Sequence, residues 1–251
     1  SPPEKAFIYA CLNGSFPEPV VRKKLDIIGW YAGYLQTYLE RDVRSLYNVG
    51  SLLEFQKFLQ LLAGRCAQTL NLSGMANDLG VSVNTIKSWL SILTASGLVF
   101  LLPQYYRNIG KRLIKSPKLF FNDTALATYL LGINDKETLL NSPHFGNLFE
   151  TMIITDFLKR FLHFGQMPSM YYLRTQDGME IDLILEINGK LHLFEIKSSM
   201  TILAKHAAPL LRAFADLKDK PASASIISRA KDKFTIKQLV NNYYWKNALS
   251  F

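Results

Sequence analysis

Asp182, Glu195 and Lys197 lie on two short apolar segments, Glu180 to Ile187 and Lys190 to Lys197, joined by Asn188-Gly189. An Asn-Gly pair between alternating apolar runs is the strongest short-range hairpin signal, because both residues tolerate the positive φ of a two-residue turn. With Ile187 facing Lys190, pairing runs back so that Asp182 lies across from Glu195 and Glu180 across from Lys197. The two-residue period of a strand then puts all four on one face. Carboxylates opposed in this way, at roughly 5 Å between Cβ atoms, repel each other unless a cation lies between them. A divalent metal ion is the expected cation. The alternative is a solvated pair eased by a Glu180–Lys197 ion pair, and the flanking Ile181, Leu183, Leu185, Leu193, Phe194 and Ile196 speak against it by predicting a sheet buried on at least one face.

Another acid comes from a helix. Phe145, Leu148, Phe149, Met152, Ile153, Ile154, Phe157, Leu158 and Phe161 predict a helix over 145–162, and Glu150 falls inside its apolar stripe. An acid facing inward needs a basic partner or a metal ion. Histidines 144, 163, 192 and 206 are scattered singly, so neither a His-based metal site nor a Ser-His-Asp arrangement is expected.

The elements that position these groups follow a helical first half. Residues 1–50 carry Phe7, Ile8, Ala10, Cys11 and Leu12, a break at Asn13 to Pro19, and a longer pattern from Val20 to Val43 whose aromatic stripe, Trp30, Tyr31, Tyr34 and Tyr38, reads as core. A helix over 51–68 precedes Leu72 to Leu90. There, small Ala76 allows two helices to approach, Gly80 permits a tight turn and Ser82 is placed as an N-cap, which predicts a helix-turn-helix. The β-prone Gly97 to Leu102 and a basic stretch carrying Arg107, Lys111, Arg112, Lys115 and Lys118 complete the pattern of a winged helix. In that reading Asn84, Thr85, Lys87 and Ser88 face a major groove, and Arg107, Lys111, Arg112 and Lys115 hold phosphates. The competing use of such a domain is packing against protein.

The formal charge of +9 over 251 residues favours a polyanionic partner, nucleic acid first and DNA in particular. At 49% hydrophobic the chain can bury real cores, and its length suits two domains better than one. Cys11 and Cys66 have no metal-ligand spacing and read as small reduced hydrophobes. No apolar run approaches the roughly 18 residues of a membrane span, and no signal core is visible, so a cytoplasmic protein without membrane contact is expected. The chain starts Ser1-Pro2-Pro3 without Met and contains no Gly-rich Lys-Ser/Thr phosphate loop, which suggests a piece of a longer protein.

Helix Glu150, strand Asp182 and Glu195-Ile196-Lys197 on the next strand resemble the motif of the PD-(D/E)XK nuclease superfamily. The resemblance implies that Asp182 and Glu195 bind Mg²⁺ or Mn²⁺, that Lys197 orients the attacking water and that Glu150 is a supporting acid. Ile181 stands where the superfamily's name-giving Pro often sits. A narrower likeness spans the chain. Asn13-Gly14-Ser15-Phe16-Pro17-Glu18, Tyr38 to Val43, the helix-turn-helix, Lys115 to Thr124, Gly146 to Glu150 and Phe194 to Lys197 are similar, in that order, to the C-terminal part of prokaryotic AAA-type ATPases carrying the 4143-type domain of unknown function.

This likeness implies trailing helices of an absent ATPase domain over 1–48, a winged helix-turn-helix domain over 49–121, and a restriction-endonuclease-like mixed sheet flanked by helices, of α+β or α/β class, over 122–251. ATP would bind only in the absent N-terminal domain, which would also make any homo-oligomer. The expected function is Mg²⁺-dependent phosphodiester hydrolysis on DNA reached through the winged helix. The alternative is a catalytically silent nuclease-like fold serving nucleic-acid binding or assembly of the ATPase, and a weaker one is a transcriptional regulator.

Overall fold

The computed structural model describes residues 3–22, 24–44, 51–106, 116–217, 221–237 and 239–250, in a mixed α+β architecture. The chain divides into two compact units, 1–101 with 119–151, and 102–118 with 152–251. These units cut across the three segments read from the sequence, because the N-terminal helices pack on elements that follow the helix-turn-helix.

In the first unit, α1 (Pro3–Asn13) buries Phe7 against Phe145 and Phe149, with ring centroids 5.6 and 5.2 Å apart. After α2 (Pro17–Val21), the chain breaks at Asp26, whose carboxylate accepts the N–H of Gly29 and caps α3 (Ile27–Thr37). The long pattern expected from Val20 to Val43 is therefore shorter, and a π-helical turn, Tyr38–Arg44, ends it. Tyr31 donates to Asp123 Oδ1 at 2.7 Å, and Asp123 also accepts from the main chain of Ser15 and Leu126. Asp123 thus caps α7 (Thr124–Leu130) and ties the N-terminal helices to it.

Helix α4 (Leu52–Gly64) supplies Phe55 and Phe58, which pack on Trp89 at 5.5 and 5.4 Å. Helices α5 (Leu72–Leu79) and α6 (Val83–Ala95) are joined as expected: Gly80 is left-handed at φ 68°, and Ser82 Oγ accepts the N–H of Thr85 at 3.0 Å. Ile86, Trp89 and Leu90 are buried, whereas Leu79 and Val81 are half-buried at the rim. Strands β1 (Val99–Leu102) and β2 (Lys118–Phe121) form a two-stranded sheet. A short α8 (Lys136–Asn141) precedes α9 (Phe145–His163), whose first residues, through Thr151, belong to this unit. Cys11 and Cys66 are buried free thiols, as expected.

Among the described residues the second unit holds a six-stranded mixed sheet in the order β3-β4-β5-β6-β8-β7. Its strands are β3 (Ser169–Arg174), β4 (Glu180–Ile187), β5 (Lys190–Lys197), β6 (Ser223–Ser228), β7 (Thr235–Ile236) and β8 (Val240–Tyr244). Asn188 and Gly189 adopt φ of 52° and 71°, the two positive values of the expected turn, and pairing runs in the expected register from Ile187 opposite Lys190 to Leu183 opposite Phe194. The sheet is covered on both faces. Phe157 of α9 meets Phe194 at 5.5 Å on one, and Leu210 and Ala213 of α10 (Ala208–Asp216) pack with Ile184, Leu193, Ala224 and Ile226 on the other. No helix among the described residues is long and apolar enough to cross a membrane.

Candidate metal centre

The β4–β5 ladder ends at Leu183 and Phe194, and the next residues on the shared face are the acids. Asp182 Oδ2 accepts the N–H of Ile196 at 2.7 Å, so a side chain takes over where ladder bonding stops. Glu195 Oε1 meets Lys197 Nζ at 2.5 Å, while Lys197 Nζ stands 3.8 Å from Asp182 Oδ2. Asp182, Glu195 and Lys197 are thereby brought together as expected. Asp182 is 8% and Glu195 5% exposed, which removes the solvated alternative.

Glu180 does not pair with Lys197 in the way the hairpin register suggested. It pairs with Lys118, which also stands 3.8 Å from Asp182 Oδ1 and 5.6 Å from the Tyr172 ring centre. From the sequence Lys118 is one more cation of a basic loop; in the structure it opens β2 and is only 3% exposed. A lysine so buried must answer a carboxylate. The only sequence signal was its place at the head of the apolar Leu119-Phe120-Phe121 run.

Glu195 Oε2 is buried and has no hydrogen-bond partner. Burial, then the charge of Asp182, push this carboxyl up from 4.5 to about 8 against the pull of Lys197 and Lys118. An orphaned carboxylate oxygen beside a second carboxylate fits a hard divalent cation. Among the described residues no group of three or more His, Cys, Asp or Glu could hold a metal ion. Asp182 and Glu195 are the two carboxylates that a cation here would meet. His206 lies within reach of Lys197's charge and is held below its usual value, by burial first and then by Lys197 and Lys205.

The remaining expected residues fall in the first unit or outside the described residues. Glu150 is half-buried on α9, and its charge acts on the Cys66 thiol, which burial above all pushes up. On α6, Asn84, Lys87 and Ser88 are exposed, while Thr85 is half-buried with its hydroxyl bonded to Ser82 Oγ at 2.8 Å. Arg107, Lys111, Arg112 and Lys115 lie outside the described residues.

A family profile described as a domain of unknown function, DUF8612, matches residues 4–137, just over half of the chain. The chain belongs to the DUF8612 family. A second profile, also a domain of unknown function, DUF4143, matches residues 145–247. The DUF8612 segment therefore carries the capped helix pair and Lys118, and the DUF4143 segment carries Glu150, Glu180, Asp182, Glu195 and Lys197. Uncharacterized proteins of Mycobacterium bovis and Mycobacterium tuberculosis are each 32% identical over 191 residues, 76% of this chain and 42% of theirs. The chain thus spans less than half the length of these curated relatives. No solved structure matches.

Proposed function

We propose that the DUF4143 segment is a nuclease-like domain that hydrolyses phosphodiester bonds with Mg²⁺ or Mn²⁺, and that the DUF8612 segment carries a winged helix that brings DNA to it. The buried, unpartnered Glu195 Oε2 beside Asp182 carries this reading, because it leaves a place for a cation where two lysines have already offset part of the negative charge. Asp182 and Glu195 would hold the ion, which when bound makes water a nucleophile and offsets charge on the phosphate. Lys197, 2.5 Å from Glu195, orients the attacking water. Lys118 keeps Glu180 and Asp182 in place from behind. Exposed Asn84, Lys87 and Ser88 on α6 meet the major groove, with Thr85 supporting the helix start, and the basic stretch Arg107 to Lys115 takes phosphates. Glu150 is the supporting acid that the superfamily resemblance assigns, and in the longer protein an upstream ATPase domain would gate the site and set any oligomer.

The test is cleavage of single- and double-stranded DNA and RNA under Mg²⁺ or Mn²⁺, with wild type, Asp182→Asn, Lys197→Met and Glu150→Gln. Loss of about 100-fold or more in folded Asp182→Asn and Lys197→Met is expected. A well-folded wild type that cuts none of these substrates overturns the enzymatic reading. A catalytically silent binding or assembly role would then stand, a second reading favoured by Lys118 and Lys197 already serving as the cations of the cluster.

A further inference from the structure

Strands β5, β6 and β8 run parallel, with Lys197 beside Ser228 and Ser228 beside Tyr244. Parallel partners share a face, so Lys197, Ser228 and Tyr244 form one row at the carboxyl edge of the sheet. Two strand spacings, about 10 Å, separate Lys197 from Tyr244 along it. The edge is built rather than loose. Ser228 Oγ bonds Asn242 Oδ1 at 2.7 Å and accepts the N–H of Ala230 at 3.1 Å, and Arg229 donates to Ser199 O at 3.2 Å and to Ser198 O at 3.3 Å. These bonds fix the chain as it leaves β5 and β6, immediately beyond the Glu195–Lys197 pair.

What this edge presents is basic and aromatic together. From Pro221 to Phe251 the chain carries Arg229, Lys231, Lys233, Lys237 and Lys246 against a single acid, Asp232. Lys231, Lys233 and Lys246 are exposed. Half-buried aromatics lie beside them: Lys246 Nζ stands 5.8 Å from the Trp245 ring and the Trp245 ring 5.8 Å from that of Tyr244, while Lys233 Nζ, 5.3 Å from the Tyr243 ring, belongs to the opposite face of β8. Cations that track a phosphate backbone beside rings that accept base faces are the chemistry of single-strand binding, whereas a stacked duplex offers its base faces to no side chain.

We propose that the edge from Lys197, past the buried Ser228, to Tyr244 and Trp245 is a track for a single nucleic-acid strand, with Tyr244 stacking a base and Lys231 and Lys246 taking flanking phosphates. The proposal rests on reading Asp182 and Glu195 as a phosphodiester-hydrolysing centre, and gives that centre its substrate class: a single-stranded or unwound segment delivered to Lys197.

The experiment is fluorescence anisotropy with a fluorescein-labelled oligothymidylate of about 20 nucleotides, and with a duplex of equal length, in EDTA so that binding is read without cleavage. Lys231→Ala/Lys246→Ala should weaken single-strand binding about fivefold or more, and should lower the slope of log Kd against log salt by about 1.4. Tyr244→Ala should weaken it about tenfold with the slope unchanged, and Tyr244→Phe should restore it, which separates stacking from a folding defect read by circular dichroism. Duplex binding should not respond to Tyr244→Ala. Wild-type affinity in the double lysine variant, equal losses in Tyr244→Ala and Tyr244→Phe, or a duplex loss matching the single-strand loss overturns the track. Binding that behaves as expected with no cleavage under Mg²⁺ leaves the track standing and removes the nuclease reading alone.

Discussion

Asp182 Oδ2 accepts the main-chain N–H of Ile196 at 2.7 Å, directly past the last ladder pair of β4 and β5. The same carboxylate stands 3.8 Å from both Lys118 and Lys197. It therefore has two separable duties, a structural one as acceptor for a buried N–H and an electrostatic one as half of the candidate metal centre.

Asp182→Asn keeps an acceptor oxygen and removes the charge, whereas Asp182→Ala removes both. Alanine should cost about 1–3 kcal/mol in urea unfolding because it orphans the Ile196 N–H, and asparagine about 1 kcal/mol or less. Calorimetric Mg²⁺ binding should be lost in both. Equal destabilisation by the two would mean that the charge, and not the hydrogen bond, carries the structural role.

Lys118 answers Glu180 and Asp182 from inside the unit. Lys118→Met leaves these acids facing each other with one cation fewer and should destabilise the protein by about 3 kcal/mol at neutral pH. Adding Glu180→Gln should recover part of that loss. Mg²⁺ should raise the melting temperature of Lys118→Met more than that of wild type, because the ion then supplies the missing charge. Identical shifts would show that Lys118 and the metal do not share a field.

What was legible in the sequence was what local chemistry dictates. Asn188-Gly189 can turn a hairpin in one way, so the strand limits and the register that gathers Asp182, Glu195 and Lys197 could be written in advance. Gly80 and Ser82 did the same for the α5–α6 turn. Lys118 was not legible, since its partners lie more than 60 residues away and nothing nearby marks it as buried. Strand β6, Ser-Ala-Ser-Ile-Ile-Ser, carries too few apolar residues to signal itself. The break before α3 was hidden because Ile27 continues the apolar period, and only Asp26's role as a cap reveals it.

The tie between the N-terminal helices and α7 makes a test of the first unit. Gly14 has φ +77°, and a Cβ there would overlap Tyr31 Oη and crowd both Asp123 carboxylate oxygens. Gly14→Ala should destabilise by about 2–3 kcal/mol from backbone strain and overlap together. Tyr31→Phe alone should cost about 1–2 kcal/mol, since Asp123 Oδ1 keeps the Leu126 N–H. Phenylalanine removes the atom that the new methyl strikes, so the double variant should lose less than the sum. Strict additivity in urea titration would show that the overlap is relieved elsewhere.

Glu195 gives the pH dependence. Its carboxyl rises from 4.5 to about 8 on folding, burial first and Asp182 second, so the folded chain binds this proton more tightly than the unfolded chain. The stabilisation is fully present below the unfolded value and is lost as pH climbs through the folded one. Glutamine at 195 imitates the protonated acid and does not titrate. The stability of wild type minus that of Glu195→Gln should therefore fall between pH 4.5 and about 8, by on the order of 5 kcal/mol in metal-free buffer, and should level off above. Saturating Mg²⁺ should flatten the decline, since a cation at Glu195 stabilises the ionised form and releases the proton at lower pH. A difference that rises with pH in metal-free buffer would mean that Lys197 and Lys118 outweigh burial, and would leave the site with no electrostatic need for a metal ion.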